Sequence, residues 1–335
     1  MAKHLVTVPR QLTLETTVRF ACDLTKLPDI EEFVFDFGNV GRIEPFALLF
    51  LSSELQRCRS MRSRSKFSIV HHESCHYAAH MGFFKAFGLD YGKSPGEAKG
   101  SSTYIPITIF NISDLHKQAA ENFEMIGELL ENKAQGMAAI LTRKDSGDLF
   151  DTLTYSIREI MRNTIEHSQS HQFGFCAQYW PTYTSVALAI LDRGIGIKAG
   201  LSENPNLKIT NDHDALNLSL MPGISGKAYK GAKHNKGVWA NSGYGLYMTS
   251  RLCREGGSFF IASGDTGLYL SESEKRYLET PFKGTVLNLT LNTGRLTSLN
   301  SMLEKYKKEA FEINKSDKSL ISASTASTML SRDFK

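Results

Sequence analysis

The chain has 335 residues, of which 41% are hydrophobic and 22% are charged, a composition typical of a globular protein with enough apolar side chains for two cores. Its formal net charge of +4 is too small for this length to indicate nucleic acid or an acidic membrane as the main partner. The five cysteines are scattered and form no CxxC pair, and we see neither a signal peptide nor a membrane-spanning run, so we expect a cytoplasmic protein and exclude a disulfide framework.

The first hundred residues alternate strand-like and helix-like segments. Apolar runs and turn-forming residues predict two strands and two helices in alternation, at 33–37, 45–55, 67–70 and 81–87. Pro45 suits the first turn of the first helix, where its missing N–H costs no hydrogen bond. A turn-rich stretch at 92–102 follows, so we expect the domain boundary between about Gly92 and Asp114.

The remaining residues predict a longer series of elements. In chain order they are a strand at 104–110, helices at 115–134 and 148–168, strands at 173–179 and 186–191, a polar region at 198–241 with a short helix at 215–220, a helix at 244–255, and strands at 258–262 and 285–291. The residues after about Lys315 are rich in serine and threonine, which predicts a frayed tail. The expected segments are a domain at 1–100, a connecting strand and helix at 101–147, a second domain at 148–295, and a C-terminal helix with a flexible tail at 296–335.

Three polar residues follow one another along the helix at 148–168. Glu159, Asn163 and His167 are spaced by four, so they lie on one face of the helix, beside its apolar stripe. A carboxylate can orient a water molecule, and an amide oxygen can bind Mg²⁺, which needs few protein ligands when phosphates and water supply the others. The pattern indicates a polar site at the edge of a groove.

Two glycine-containing turns come later in the same half of the chain. Asp192 ends an apolar strand and is followed by Gly194 and Gly196. Its carboxylate accepts hydrogen bonds only, which suits an exocyclic amine, and glycines allow the backbone to approach a ligand closely. Gly243 and Gly245 open the helix at 244–255, where exposed N–H groups suit a phosphate.

In this order and spacing, the three segments resemble the ATP-binding domain of the GHKL family, which includes gyrase, heat-shock chaperones and histidine kinases. The resemblance covers about Asp148 to Leu291. It rests on an ExxxN box (Glu159, Asn163), a DxGxG box (Asp192, Gly194, Gly196), a GxG box (Gly243, Gly245) and a closing strand (Lys283–Leu289). It implies an α/β two-layer sandwich that binds ATP with Mg²⁺.

The resemblance also implies roles for single residues. Asp192 would recognise adenine, with Thr285 acting through water, Asn163 would hold Mg²⁺, and Glu159 would be the base for an attacking water or hydroxyl. The other residues expected at the nucleotide are His167, Gly194, Gly196, Ile197, Lys236, Ser242, Gly243, Tyr244, Gly245 and Leu246. The region 198–241 would be a lid over the phosphates, and its lysines could either meet the phosphate charge or act only as solubilising groups: Lys227, Lys230, Lys233 and Lys236.

The N-terminal half resembles, less specifically, a STAS domain, the fold of the anti-sigma-factor antagonists. The match is the stretch Asp36–Leu48, in which Glu44, Pro45, Phe46 and Ala47 stand where the family carries its phosphorylatable serine motif. The resemblance therefore implies a smaller, degenerate STAS-like α/β domain that docks or scaffolds without accepting phosphate there.

These expectations leave three functions open. The first is an ATP-dependent regulator in which Mg-dependent hydrolysis is coupled to lid closure and to binding of a protein partner or a second copy of the chain. The second is a serine/threonine kinase of the anti-sigma type that acts on a separate STAS protein. The third is a module in which bound ATP gates an interaction without hydrolysis. A histidine kinase is disfavoured, because the sequence around His116 lacks that family's motif.

Overall fold

The computed structural model describes residues 3–99, 101, 103–229, 231, 238–240, 242–315 and 322–334. Its strands, in chain order, are β1 (Lys3–Thr7), β2 (Gln11–Leu12), β3 (Glu32–Asp36), β4 (Arg42–Ile43), β5 (Lys66–Val70), β6 (Tyr104–Asn111), β7 (Gln172–Trp180), β8 (Ser185–Asp192), β9 (Ser258–Ser271) and β10 (Lys275–Asn292). Its α-helices are α1 (Leu14–Thr25), α2 (Pro45–Met61), α3 (His76–His80), α4 (Phe83–Ala86), α5 (Ile112–Glu121), α6 (Ile126–Thr142), α7 (Asp148–His167), α8 (Gly196–Leu201), α9 (Asp212–Ser219), α10 (Gly245–Cys253) and α11 (Leu299–Asn314). The chain is therefore a mixed α/β protein, as its sequence predicts.

The N-terminal part is built on a small parallel sheet. Three strands pair in the order β1-β3-β5, and β2 and β4 form a separate parallel pair. Phe33 of β3 stacks on Phe67 of β5 with ring centroids 5.2 Å apart, which fixes the two strands side by side. Pro45 occupies the first turn of α2, as expected for a residue that cannot donate a helical hydrogen bond.

The C-terminal part is built on a five-stranded sheet in the order β6-β7-β8-β10-β9, in which every pairing is antiparallel. Successive residues of β8 point to opposite faces of this sheet. Leu188 and Ile190 pack on the side that carries α6 and α7, whereas Ala189 and Leu191 belong to the core formed with the N-terminal part. Both faces of the sheet are therefore covered.

Aromatic contacts join the N-terminal part to the second face of the five-stranded sheet. Phe46 of α2 meets Phe260 of β9 edge to face, with centroids 5.6 Å apart, and Phe50 lies 5.2 Å from Phe282 of β10. These side chains are fully buried, and the resulting core is continuous with the small parallel sheet. The apolar residues of α2 thus pack in one core with both sheets.

Besides the elements that the sequence prediction omitted, such as β1 and α1, three features differ from it. The helix expected at 115–134 is two helices, α5 and α6, because Phe123 adopts a left-handed conformation (φ 57°) between them. The strands expected at 258–262 and 285–291 are the inner halves of a longer hairpin, and residues 275–279 of its outer half alternate exposed and half-buried positions without an apolar run. Residues 322–334, expected in a flexible tail, are packed against α7, with Ala326 and Ser327 fully buried.

Among the described residues, no helix combines the length and the apolar character needed to cross a membrane. The partner and compartment predictions beyond this finding stay predictions.

Candidate functional site

One cavity lies between α7 and the five-stranded sheet, and its volume is about 750 Å³ when the open solvent at its mouth is included. The face that α7 turns to it carries Ile160, Asn163, Thr164 and His167, which follow the spacing of one helical face. The cavity is therefore bounded by the same helix that carries the ExxxN pattern.

Asp192 and Thr285 form the sheet side of the cavity. They are directly opposite in the antiparallel pair of β8 and β10, and both line the cavity. Asp192 shares the face of Ile190, which packs towards α7, so the end of the strand delivers its carboxylate to that side of the sheet. The apolar residues Ile261 and Leu287 line the neighbouring wall.

Burial raises the pKa of Asp192 from 3.8 to about 6, even though backbone hydrogen bonds from Gly194 and Thr285 favour its ionised form. The Gly194 N–H donates to Asp192 Oδ1 over 2.8 Å. At neutral pH the carboxylate is ionised, and it offers a desolvated acceptor on an otherwise largely apolar wall.

The turn after β8 uses its two glycines in different ways. Gly196 lines the cavity in a left-handed conformation (φ 77°), and a Cβ there would lie 2.6 Å from Ser263 Oγ, which also accepts a hydrogen bond from Ile197 N–H over 2.9 Å. Gly194 does not line the cavity: a Cβ there would collide with the Ser168 carbonyl at the end of α7. Gly194 thus permits close packing of the turn on α7, and Gly196 shapes the cavity itself.

The start of α10 closes the opposite end of the cavity. Gly243, Gly245 and Leu246 line it, and Gly243 is left-handed (φ 72°) with no space for a Cβ, which would lie 2.5 Å from Ile224 O. A Cβ at Gly245 would lie 3.3 Å from the amide nitrogen of Asn163 and would clash with a carboxylate oxygen of Glu159. The glycine box and the ExxxN box therefore meet.

Ser242 and Tyr244, also expected at the nucleotide, do not line the cavity. Ser242 is buried, and its hydroxyl bonds to Ser324 and Ser327 of the C-terminal segment over 3.2 Å each. The Tyr244 hydroxyl accepts a hydrogen bond from Asn314 over 3.2 Å and belongs to the cluster that packs α11 on α10. Both side chains point away from the ligand-sized space.

His167 lines the cavity as a neutral imidazole. Burial, together with the nearby positive charges of Lys227 and Arg162, lowers its pKa from 6.5 to about 4. Lys227 donates a hydrogen bond to the carbonyl oxygen of Glu166 at the end of α7, which places one cation from the expected lid near the cavity. Lys230, Lys233 and Lys236 lie outside the described residues.

The expected lid region is partly anchored. Its helix α9 packs against β9, where Asp212 Oδ2 accepts a hydrogen bond from Asp265 N–H over 3.2 Å. Ile224, Ser225 and Gly226 of the same region line the cavity, so its later part forms one of the walls.

Glu159, the expected base, is fully buried and does not line the cavity. Its Oε1 lies 3.1 Å from Arg158 Nη2, and its Oε2 lies 3.0 Å from Arg162 Nη2. Arg158 also pairs with the buried carboxylate of Glu131 on α6. Two guanidinium groups therefore contact both oxygens of Glu159, and neither oxygen reaches the cavity in which an attacking water would lie.

A second ion pair ties the DxGxG turn to the N-terminal part. Arg193 Nη2 lies 2.6 Å from Glu54 Oε1 and 2.7 Å from Ser53 Oγ of α2, and its guanidinium covers the Phe282 ring at 4.2 Å. Glu54 is only 1% exposed, so this contact lies within the interface. The residue next to Asp192 thereby links the cavity wall to α2.

The side chain of Asn163 could supply one oxygen to a magnesium ion whose other ligands come from a bound phosphate and water. The side-chain amide nitrogen of Asn163 is buried and has no hydrogen-bond partner among the described residues, so the amide can turn its oxygen to a cation without losing a bond. Elsewhere, the described ranges contain no group of three or more His, Cys, Asp or Glu residues placed to hold a metal ion. A cation at Asn163 would therefore need oxygens from a bound phosphate and from water.

The sequence did not indicate part of the cavity wall. The cavity residues that it missed are Ile160, Thr164, Ser168, Gly200, Leu201, Ser219, Ile224, Ser225, Gly226, Ile261 and Leu287. Ile160 and Thr164 could have been found from helical spacing, because they flank Asn163 on the same face. The others belong to short helices, loops and strands whose position depends on the fold.

No protein-family model matches the chain, and no curated protein matches it either.

Proposed function

We propose that the cavity binds ATP with Mg²⁺ and that the chain is an ATP-dependent regulator of the GHKL type. One observation carries the proposal: the three sequence segments that resemble GHKL boxes come together around a single cavity, through Asn163, Asp192, Gly196, Gly243 and Gly245. Residues 82 apart in sequence, Asn163 and Gly245, are in contact range there. A chance set of short motifs has no reason to converge in this way.

The two ends of the cavity suit the two ends of ATP. Asp192 is an acceptor on a wall that is otherwise apolar at Ile261 and Leu287, which suits a flat base that carries an exocyclic amine. The N-terminus of the nine-residue helix α10 lies beside Asn163 and suits phosphates. Mg²⁺ bound through Asn163 would neutralise phosphate charge there.

The surroundings of Glu159 favour slow turnover or gating over rapid hydrolysis. Its carboxylate is enclosed by Arg158 and Arg162 and stays out of the cavity. A general base must reach the water that it activates, so these ion pairs must loosen before Glu159 can act. ATP would then serve mainly as a regulatory ligand that changes the wall at 224–226, and the partner or second copy would sense that change.

Calorimetry on the full chain tests the proposal. We expect heat with ATP and ADP in the presence of Mg²⁺ and at least about 100-fold weaker binding of GTP, since guanine presents a carbonyl oxygen to the Asp192 carboxylate and leaves it unpaired. In the Asn163→Ala variant, Mg²⁺ should no longer strengthen ATP binding, whereas the affinity for ATP without Mg²⁺ should equal that of the wild type. The matched control is Asn132→Ala, at an exposed position of α6. Absence of heat with every adenine nucleotide would refute the proposal.

A further inference from the structure

Residues 322–334, called the C-terminal segment here, fold back onto the residues that precede the GxG box. Ala326 N–H donates to Val238 O over 3.0 Å, and the Phe334 ring packs on Trp239 with centroids 5.2 Å apart. Ser327 Oγ lies 3.2 Å from Ser242 Oγ. The segment therefore touches the chain just before Gly243.

The same segment reaches the buried ion pairs of α7. Arg158 donates to the carbonyl oxygen of Ala326 and, over 3.1 Å, to that of Met329. Arg162 Nη2 donates to Ser327 Oγ over 3.0 Å and is the nitrogen that also holds Glu159. The segment thus supplies acceptors to both guanidinium groups around Glu159, and it fixes them in place.

Further contacts anchor the segment along α6 and α7. Ser331 N–H donates to Glu131 Oε1 over 2.8 Å, and the Tyr155 hydroxyl donates to Ser327 O over 2.7 Å. At the outer edge, Arg332 Nη2 lies 2.5 Å from Asp151 Oδ2, with the Arg332 side chain half exposed. The inner contacts are dry, whereas at this outer ion pair Arg332 is half exposed and can be changed without disturbing the core, and Asp151 is 14% exposed.

We propose that the C-terminal segment is an intramolecular latch that keeps Glu159 locked between Arg158 and Arg162 and so suppresses ATP turnover. The proposal rests on the ATP site proposed above. When the segment leaves, both arginines lose acceptors and become open to water, so they can turn away from Glu159 and leave its carboxylate free to accept a proton. Release also frees Ser242, which adjoins the glycines at the phosphate end of the cavity. Hydrolysis then attaches water oxygen to the terminal phosphorus, breaks its bond to ADP, and passes the water proton to Glu159.

A charge exchange at the outer ion pair tests the latch. Trp180→Phe leaves Trp239 as the sole tryptophan, so its emission reports whether Phe334 is docked. In that background, Arg332→Glu or Asp151→Arg alone should shift the emission to the red and raise ATP turnover about two- to fivefold, the range expected for loss of one accessible ion pair. The double variant, which restores the pair with the charges exchanged, should return emission and turnover towards the starting values.

A stronger variant covers the case in which a single charge change leaves the segment docked. Ala326 is fully buried, so Ala326→Arg cannot be accommodated and also brings a positive charge beside Arg158. We expect complete release and at least about a tenfold rise in turnover, with ATP still binding. The matched control is Ala120→Arg, at an exposed alanine of α5, which should change neither readout.

Each result decides the question. If Ala326→Arg shifts the Trp239 emission to the red but leaves ATP turnover unchanged or lower, the latch is refuted. Unchanged Trp239 emission in that variant also refutes it. Heat of ATP binding without any turnover in the released variants refutes the latch and leaves the nucleotide site standing. Absence of heat in the wild type and all variants refutes the nucleotide site, and the latch with it.

Discussion

Asp192 and Thr285 stand opposite each other at the ends of two central strands, and both side chains face the cavity. In an antiparallel pair, opposite residues project to the same face, so this pairing places a carboxylate and a hydroxyl side by side without any contribution from a loop. The position of these two side chains in the cavity therefore follows from strand register.

Asp192→Asn should weaken ATP binding about 10- to 100-fold, because a buried charge-assisted hydrogen bond is replaced by a weaker one. Calorimetry with Mg-ATP measures the change. Asp265→Asn, which alters an exposed acid on β9, serves as the control and should bind as the wild type does. Equal affinities for the two variants would remove Asp192 from the site.

The affinity for ATP should fall as the pH drops through the pKa of Asp192, which burial raises to about 6. The ionised carboxylate is the better acceptor for the adenine amine, and at about one pH unit below the pKa only about a tenth of it remains ionised. We expect up to about tenfold weaker binding at about pH 5 than at neutral pH. Calorimetric titrations with ATP at both pH values check this. Asp192→Asn controls for protonation of the nucleotide, since the affinity of this variant should not depend on ionisation of residue 192.

Titration of His167 and titration of Asp192 should change the folding stability in opposite directions as the pH falls. His167 has a pKa lowered to about 4 from 6.5, so below about pH 6.5 the unfolded chain takes up its proton first, and stability is lost as the pH falls towards 4. Asp192 has a pKa raised from 3.8 to about 6, so the folded state binds that proton first, and stability is gained as the pH falls from 6 to 3.8. Each effect amounts to about 3 kcal/mol at most, so they largely cancel in the wild type.

Variants separate the two effects. His167→Gln should become more stable between about pH 6 and 4 relative to the wild type, and Asp192→Asn should become less stable over the same window. Urea unfolding at a series of pH values measures both. Parallel profiles for all three proteins would show that neither pKa is shifted.

The sequence could predict the parts of the site that follow from local periodicity. An acid at the end of an apolar strand, residues four apart on a helix and glycines before a helix each have a short-range physical reason, and Asp192, Asn163 and Gly243 all line the cavity. Glu159 shares that helical spacing with Asn163, yet it immediately precedes the cavity residue Ile160, which is about 100° away around the helix, and its carboxylate faces Arg158 and Arg162.

Contacts between distant parts of the chain could not be predicted in this way. The pair Arg193–Glu54 joins residues 139 apart, and the pair Arg162–Ser327 joins residues 165 apart. Serine and threonine in the C-terminal segment are typical of a solvated tail, and only the acceptors that they and their backbone offer to buried arginines explain why 322–334 is packed. Such partners exist only once the fold has brought the two surfaces together.

Gly243→Ala should destabilise the fold by about 1 to 3 kcal/mol, since the new Cβ meets the Ile224 carbonyl in a left-handed backbone conformation. Gly136→Ala is the matched control: Gly136 lies in α6 with nothing within 4 Å of a Cβ, so the same substitution should stabilise the protein by up to about 1 kcal/mol through helix propensity. Urea unfolding of the two variants should give shifts of opposite sign. Shifts of the same sign would mean that the turn before α10 is not held as described.

Glu159→Ala should cost about 3 to 5 kcal/mol of folding free energy, because it leaves Arg158 and Arg162 buried with one carboxylate fewer. Adding Arg162→Leu to that variant should recover part of the loss, and the coupling between the two sites should be at least about 1 kcal/mol in a double-mutant cycle by urea unfolding. Additive losses would show that the pair does not interact. If the two sites are coupled, the Glu159 carboxylate neutralises two buried cations as well as serving any role in turnover. Loss of ATP turnover in Glu159→Ala then identifies a base only if nucleotide binding and folding of the variant are also measured.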